Sequence, residues 1–133
     1  VVIMDPLELI SAARDVATNA YSPYSNFRVG AALLTKSGKV YSGCNVENAS
    51  YGLANCAERT AVFKAISEGE RAFELMAIVS TGGVYPCGAC RQVLNEFSPE
   101  LKIVLGDLEG NLTGETSLVD LLPNAFGPGF KKD

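Results

Sequence analysis

The sequence predicts an α/β fold, a three-layer α/β/α sandwich with helices on both faces of a five-stranded mixed sheet. Three observations indicate it. Helical and strand patterns follow one another in the order α-β-β-α-β-α-β-β-α, one central stretch is almost wholly apolar, and no linker or repeat interrupts the chain. Because 133 residues is an ordinary domain length, we predict a single domain over residues 1–133.

The first part of the chain is predicted to form a helix and a hairpin. Asp5 can cap a helix over 5–20, and Pro6 suits its first position. Its apolar stripe has helical spacing and consists of Leu7, Ile10, Ala13, Ala17 and Ala20. Apolar stretches over 27–34 and 40–44, separated by a polar turn, predict two paired strands.

The rest of the chain alternates helices and strands. A polar, irregular loop over 45–52 precedes a predicted helix over 56–67, and a third helix is predicted over 87–97. The apolar run over 74–80 is typical of a central strand covered on both faces. The remaining elements are short: strands over 101–105 and 111–114, and a last helix over 117–122.

Composition limits the classes of partner. The net charge is −4, and the one basic pair, Lys131 and Lys132, is terminal, so we expect no nucleic-acid partner and favour a neutral small molecule. No apolar run approaches the ~20 residues of a membrane span, so we expect no membrane partner. Residues 1–3 are too short for a signal peptide. Four cysteines without such a signal indicate the cytoplasm.

The cysteines predict a metal site. Cys87 and Cys90 are spaced so that both sulfurs can reach one cation from an opening helical turn. Cys56, at another predicted helix start, is the candidate third ligand, and helix starts favour thiolates. Histidine is absent, which excludes histidine ligands and bases. Three thiolates would leave one position of a tetrahedral metal open.

Glu58 and Arg59, which follow Cys56 closely, are candidates for functional roles beside the metal. Glu58 is placed to take a proton from a water that the metal activates. The alternative is a capping box in which Asn55 caps the helix and Glu58 answers it. Arg59 could donate to a ligand sulfur and draw charge from the metal, and its alternative is an ordinary surface position.

The cysteines also have other interpretations. Cys87 and Cys90 could form a thioredoxin-like dithiol, although that leaves Cys56 and Glu58 unexplained. A closed, structural four-thiolate zinc site could use Cys44 as its fourth ligand. We interpret Cys44 as a small core residue, because it ends an apolar strand.

Several segments carry a resemblance to a known family. They are C-A-E-R over 56–59, P-C-G-A-C-R-Q over 86–92, Y-S-P-Y-S-N-F-R-V-G-A-A-L over 21–33, G-C-N-V-E-N over 43–48 and L-L-P-N-A-F over 121–126. The first two match the zinc deaminase signature. Together the segments resemble the small homotetrameric, zinc-dependent cytidine deaminases of the cytidine/deoxycytidylate deaminase family along nearly the whole chain.

The resemblance implies an activity and a cofactor. The activity is hydrolytic deamination of cytidine and 2′-deoxycytidine to uridine and 2′-deoxyuridine with release of ammonia, in pyrimidine salvage. The cofactor is a single Zn²⁺ in each chain, bound by Cys56, Cys87 and Cys90. Glu58 is implied to carry a proton from the activated water to ring N3 and then to the leaving amino group.

The resemblance also implies substrate contacts. Asn45 and Glu47 match residues that bind the ribose 3′-hydroxyl, which suits an amide and a carboxylate. The backbone N–H of Ala57 matches a donor to the pyrimidine carbonyl. Phe27 matches a ring near the base and sugar.

Through the resemblance, two further aromatic residues imply active sites that are shared between subunits. Tyr51 and Phe126 match residues that close each site from neighbouring subunits of a homotetramer. The alternative for Phe27 and Phe126 is core packing, because a chain without tryptophan must build its core from other aromatic residues.

Three other functions stay open at this point. A tRNA or DNA deaminase would normally carry a histidine ligand and a basic surface, and this chain has neither. A deaminase of another aminopyrimidine nucleoside, including a nucleoside antibiotic, would share the zinc chemistry, although Asn45 and Glu47 favour an unmodified ribose. The third alternative is a zinc-stabilised scaffold without activity.

Overall fold

The computed structural model describes residues 4–128; residues 1–3 and the pair Lys131 and Lys132 lie outside that range. Within that range there are five strands: β1 Val29–Thr35, β2 Val40–Cys44, β3 Phe73–Ser80, β4 Lys102–Gly106 and β5 Leu112–Ser117. The α-helices are α1 Pro6–Ala17, α2 Ala57–Ser67, α3 Gly88–Phe97 and α4 Leu118–Leu121, and a 3₁₀ helix spans Tyr51–Leu53. The predicted order of elements is confirmed.

The strands form one mixed sheet in the order β2-β1-β3-β4-β5. β1 pairs antiparallel with β2 and with β3. β3 and β4 are parallel, and β5 pairs antiparallel with β4. β3 is therefore central, and its residues 76–80 are buried, as its apolar sequence predicts.

The alternation of side chains along the strands creates two cores. Ala32 and Leu34 of β1 face α1, whereas Ala31 and Leu33 face the layer that contains α2, α3 and α4. Two helical layers thus enclose the sheet, which confirms the three-layer sandwich. A side chain at Gly30 is impossible without movement, because a Cβ there would lie 1.9 Å from the carbonyl oxygen of Ala13 in α1.

The first helix and the first strand differ from prediction in their boundaries and in one buried position. α1 starts as expected, with Asp5 Oδ1 accepting from Leu7 N at 3.0 Å, but it ends at Ala17. The stripe prediction was wrong at Leu7, which is 52 % exposed, while Leu9 is fully buried. β1 begins only at Val29, since Asn26 adopts a left-handed turn with φ 59°.

β5 is longer than its predicted span, because backbone pairing with β4 rather than apolar pattern sets its length. This edge strand is exposed or only partly buried, and the residues after Gly114 are polar, so they carry no apolar signal. Within residues 4–128, no helix is long and apolar enough to span a membrane.

Candidate metal centre and substrate cleft

Two helices begin at cysteines that lie close together in space. Cys56 is the N-cap residue of α2 and Cys87 is the N-cap residue of α3, and neither side chain makes a capping hydrogen bond. Cys90 lies in the first turn of α3. The sulfurs are therefore free of the capping role that Ser or Asp would take, and they lie at the positive ends of both helices.

The three thiols form a compact group. Cys56 Sγ lies 3.8 Å from Cys87 Sγ, Cys87 Sγ lies 3.4 Å from Cys90 Sγ, and all three sulfurs lie within 4.8 Å of one another. Tetrahedral Zn²⁺ with bonds of about 2.3 Å to sulfur requires sulfur–sulfur separations of about 3.8 Å. The donor set and its spacing fit a zinc ion.

No further group of three such ligand side chains occurs within residues 4–128. Cys44 is half-buried and outside the thiol group. The closed four-thiolate site is therefore wrong, and the interpretation of Cys44 as a small core residue is corrected to a partly buried one.

Hydrogen bonding polarises the thiols. The hydrogen bond from Cys90, with further bonds from Arg59 and Cys87, lowers the pKa of Cys56 to about 5. The same contact with Cys56, together with burial, raises the pKa of Cys90. These contacts stabilise the thiolate of Cys56, the protonation state that a metal ligand needs, whereas Cys90 holds its proton more tightly while no metal is bound.

The guanidinium of Arg59 contacts the thiol group. Its Nη2 donates to Cys56 Sγ across 3.3 Å, and this bond raises the pKa of the guanidinium. Its Nε is buried and has no hydrogen-bond partner among residues 4–128. Arg59 is half-buried, so the alternative of an ordinary surface residue is wrong.

Glu58 is a buried carboxyl beside the thiols. Its side chain is 5 % exposed, and burial, reinforced by the charge of Cys56, raises its pKa to about 7. The capping-box interpretation is wrong, because Cys56 occupies the cap position. Asn55 instead donates from Nδ2 to Thr60 Oγ1 at 3.0 Å.

A cleft of about 470 Å³ opens over these residues, a size typical of small-molecule sites. Most of the predicted site residues line it: Phe27, Asn45, Glu47, Tyr51, Cys56, Ala57, Glu58, Arg59 and Cys87. Cys90 is buried and does not line the cleft. A wider cleft of about 630 Å³, lined by Leu34, Glu74 and Lys102 among others, contains none of the predicted site residues.

Asn45 and Glu47 order the loop that precedes β1. Asn45 Oδ1 accepts from Val29 N at 2.9 Å, and its Nδ2 donates to the Phe27 carbonyl at 2.8 Å. Glu47 accepts from Ser25 Oγ and from the backbone N–H of Ser25 at 3.2 Å. The Ser25 hydroxyl holds the pKa of Glu47 below its usual value.

The aromatic residues point outward. Phe27 is 36 % exposed, Tyr51 78 % and Phe126 70 %, so core packing is wrong for Phe27 and Phe126. Tyr51 meets the ring of Tyr24 edge to face, with centroids 6.2 Å apart. Phe126 does not line the cleft of its own chain and lies instead beside a separate one with Asn95 and Pro99.

The lining residues that the sequence did not identify as part of the site include Ser25, Val84 and Tyr85. Tyr85 directly precedes the cysteine segment, which was an available signal. Ser25 lies 22 positions from the Glu47 carboxylate that it contacts, and no local pattern reports such a pairing.

Comparison with known proteins agrees with this geometry. A family model described as "Cytidine and deoxycytidylate deaminase zinc-binding region" matches residues 5–106. The cytidine deaminase of Sporosarcina psychrophila is 49 % identical over 126 residues, which cover 92 % of this chain and 92 % of the relative. That of Halalkalibacterium halodurans is 53 % identical over 126 residues, with 92 % and 95 % covered.

Solved structures show the same fold. The crystal structure of cytidine deaminase from Burkholderia pseudomallei matches with a TM-score of 0.87 and 54 % identity, and covers 92 % of this chain and 100 % of that chain. Cytidine deaminase from Mycobacterium tuberculosis matches with a TM-score of 0.82 and 42 % identity, and covers 94 % and 99 %.

Proposed function

This chain belongs to the cytidine and deoxycytidylate deaminase family, and we propose that it hydrolyses cytidine and 2′-deoxycytidine to uridine and 2′-deoxyuridine in pyrimidine salvage. Water adds at C4 of the ring, the C4–N bond breaks, and the amino group leaves as ammonia. The observation that carries the proposal is the buried carboxyl of Glu58 beside three clustered thiols at the wall of a small-molecule cleft.

Cys56, Cys87 and Cys90 would hold the zinc ion. When bound, Zn²⁺ supplies Lewis acidity that makes a water nucleophilic at neutral pH. Three thiolates exceed the charge of the ion by one. Arg59, which donates to Cys56 Sγ, would offset part of that excess.

Glu58 would move the protons. A carboxyl exchanges protons with a reacting group most effectively when its pKa is near the working pH, and burial raises the pKa of Glu58 to about 7. It would take a proton from water and deliver it to ring N3, and then transfer the proton of the hydroxyl added at C4 to the amino group as the carbonyl forms. Without that last transfer the amino group is a poor leaving group.

Recognition of the substrate would use groups around the cleft. We propose that the backbone N–H of Ala57 donates to the pyrimidine carbonyl and that Phe27 packs near the base and sugar. Asn45 and Glu47 would bind the ribose 3′-hydroxyl. Both already hold the loop before β1, and their oxygens keep lone pairs for a further bond.

Subunit assembly would complete each site. Tyr51 and Phe126 are both largely exposed, so contact with another subunit would cover their rings. We propose a homotetramer in which they close the sites of neighbouring copies, in the reducing cytoplasm, where thiols persist. Zinc-loaded monomers that are active at high dilution would contradict the shared sites.

The direct test is product analysis. Zinc-loaded protein is incubated with cytidine, and uridine and ammonia are quantified together. The proposal predicts equal amounts of both, and the same with 2′-deoxycytidine. A protein that retains zinc and its fold but forms neither product would be the zinc-stabilised scaffold instead.

A further inference from the structure

The helix that carries two of the thiols also holds the C-terminal segment, which we define as residues 121–128. Arg91, on the first turn of α3, donates from Nε to the carbonyl of Pro86 at 2.8 Å. Its Nη1 donates to the carbonyl of Leu121 at 2.9 Å. One guanidinium therefore joins the residue before Cys87 to the start of the C-terminal segment.

Two amides of α3 hold the far part of the segment at a single point. Gln92 Nε2 donates to the Phe126 carbonyl at 2.7 Å, and Asn95 Nδ2 donates to the same oxygen at 3.2 Å. Asn95 is buried. With its backbone held against α3, Phe126 presents its ring outward.

The backbone of the segment is shaped for this contact. Asn124 adopts a left-handed conformation with φ 54°, which non-glycine residues rarely adopt. A Cβ on Gly127 would lie 2.6 Å from Asn95 Nδ2. A larger residue at position 127 would therefore displace the amide that anchors Phe126.

We propose that Gln92 and Asn95 are positioning residues that fix the Phe126 ring relative to the thiol-bearing start of α3. Because α3 contributes Cys87 and Cys90 as well, one helix sets both the metal ligands of its own site and the aromatic face offered to a neighbouring copy. The inference rests on the proposed function, since Phe126 acts there on a neighbour's substrate.

Because the chain contains no tryptophan, a single introduced tryptophan reports on one position alone. Phe126→Trp places a unique fluorophore at the ring position, and acrylamide quenching of its emission reports how the ring is held. Into this background we would introduce Gln92→Met, which removes the donor at similar length, and Gln92→Lys, which retains a donor. Ser37→Ala, which removes a hydrogen bond to Glu70 in a distant turn, is the matched control.

The proposal predicts that Gln92→Met changes the quenching constant in the Phe126→Trp background. In the chain that retains Phe126, the same substitution raises KM for cytidine about fivefold, the usual effect of one hydrogen bond. The kcat value and zinc content stay within about twofold, because the positioning contact is not part of the chemistry. Gln92→Lys and Ser37→Ala are expected to keep the quenching constant and the KM of the proteins into which they are introduced.

Unchanged quenching or unchanged KM in Gln92→Met overturns the proposal. If the protein with Phe126 intact does not deaminate cytidine, the proposed function fails, and quenching in the Phe126→Trp background alone decides whether Gln92 positions the ring.

Discussion

Arg59 Nη2 donates to Cys56 Sγ across 3.3 Å, while Nε of the same guanidinium is buried without a hydrogen-bond partner among residues 4–128. An unpaired buried donor is unfavourable. The guanidinium of Arg59 nevertheless lies beside the thiol group, where its positive charge can offset the negative charge of thiolates. This geometry favours an electrostatic role for Arg59 over a contribution to stability.

Arg59→Gln is expected to lower kcat/KM for cytidine by about 10- to 100-fold, the range typical of residues that support metal ligands. The physical reason is the loss of positive charge beside a thiolate-rich ion. Steady-state kinetics and zinc content per chain measure the effect. Arg71→Gln, which removes contacts to the carbonyls of Ile66 and Glu70, should keep parental activity. Equal activity of the two variants would contradict the role of Arg59.

Metal removal should expose three thiols and destabilise the fold. In zinc-loaded native protein we expect only Cys44 to react with a thiol reagent, and the chelated protein should react at Cys56, Cys87 and Cys90 as well. The melting temperature should fall on chelation, because a ligand of the native state stabilises it. Cys44→Ser, as a control, should leave no reactive thiol before chelation. Four reactive thiols in the zinc-loaded protein would show that the cysteines are not the ligands.

Gly30→Ala tests the contact between α1 and β1. A Cβ at Gly30 would lie 1.9 Å from the Ala13 carbonyl oxygen, and the forced separation should lower the free energy of unfolding by about 3 kcal/mol. Gly52→Ala, where nothing lies within 4 Å of the added Cβ, should change it by less than about 0.5 kcal/mol. Chemical denaturation measures both. Equal stability of the two variants would contradict the close packing of α1.

The cleft should reject nucleotides. Among its described lining residues the cation is Arg59, which is directed at Cys56, and the Ser25 hydroxyl keeps the pKa of Glu47 low, so that its carboxylate stays ionised. We expect kcat/KM for 2′-deoxycytidine 5′-phosphate to be at least about 100-fold below that for 2′-deoxycytidine, because like charges oppose binding. Comparable values for the two substrates would show that another group neutralises the phosphate.

Sequence patterns were sufficient where a local rule decides the structure. Helical spacing and the apolar run of β3 predicted the sandwich, and the cysteines at helix starts predicted the thiol group. Local rules failed where long-range packing decides. The burial of Leu9 instead of Leu7 depends on how α1 meets the sheet.

Parts of the site also depend on contacts between residues that are far apart in the sequence. The link between Ser25 and Glu47 joins two distant loops, and the anchoring of Phe126 by Gln92 and Asn95 spans more than thirty positions. Neither leaves a periodic signal in the sequence. The resemblance to a family predicted a set of site residues, and the structure shows what each of them contacts within the chain.

The central claim is that Glu58 moves protons beside a zinc ion held by three cysteines. The most direct measurement compares wild type with Glu58→Gln, following the loss of cytidine ultraviolet absorbance together with zinc content. Gln keeps the shape of the side chain but cannot exchange the proton. We predict one zinc per chain in both proteins, rapid deamination by wild type, and a loss of at least about 1,000-fold in the variant, at the scale of general acid–base catalysis. Deamination at the same rate by Glu58→Gln, or none by zinc-loaded wild type, would contradict the account.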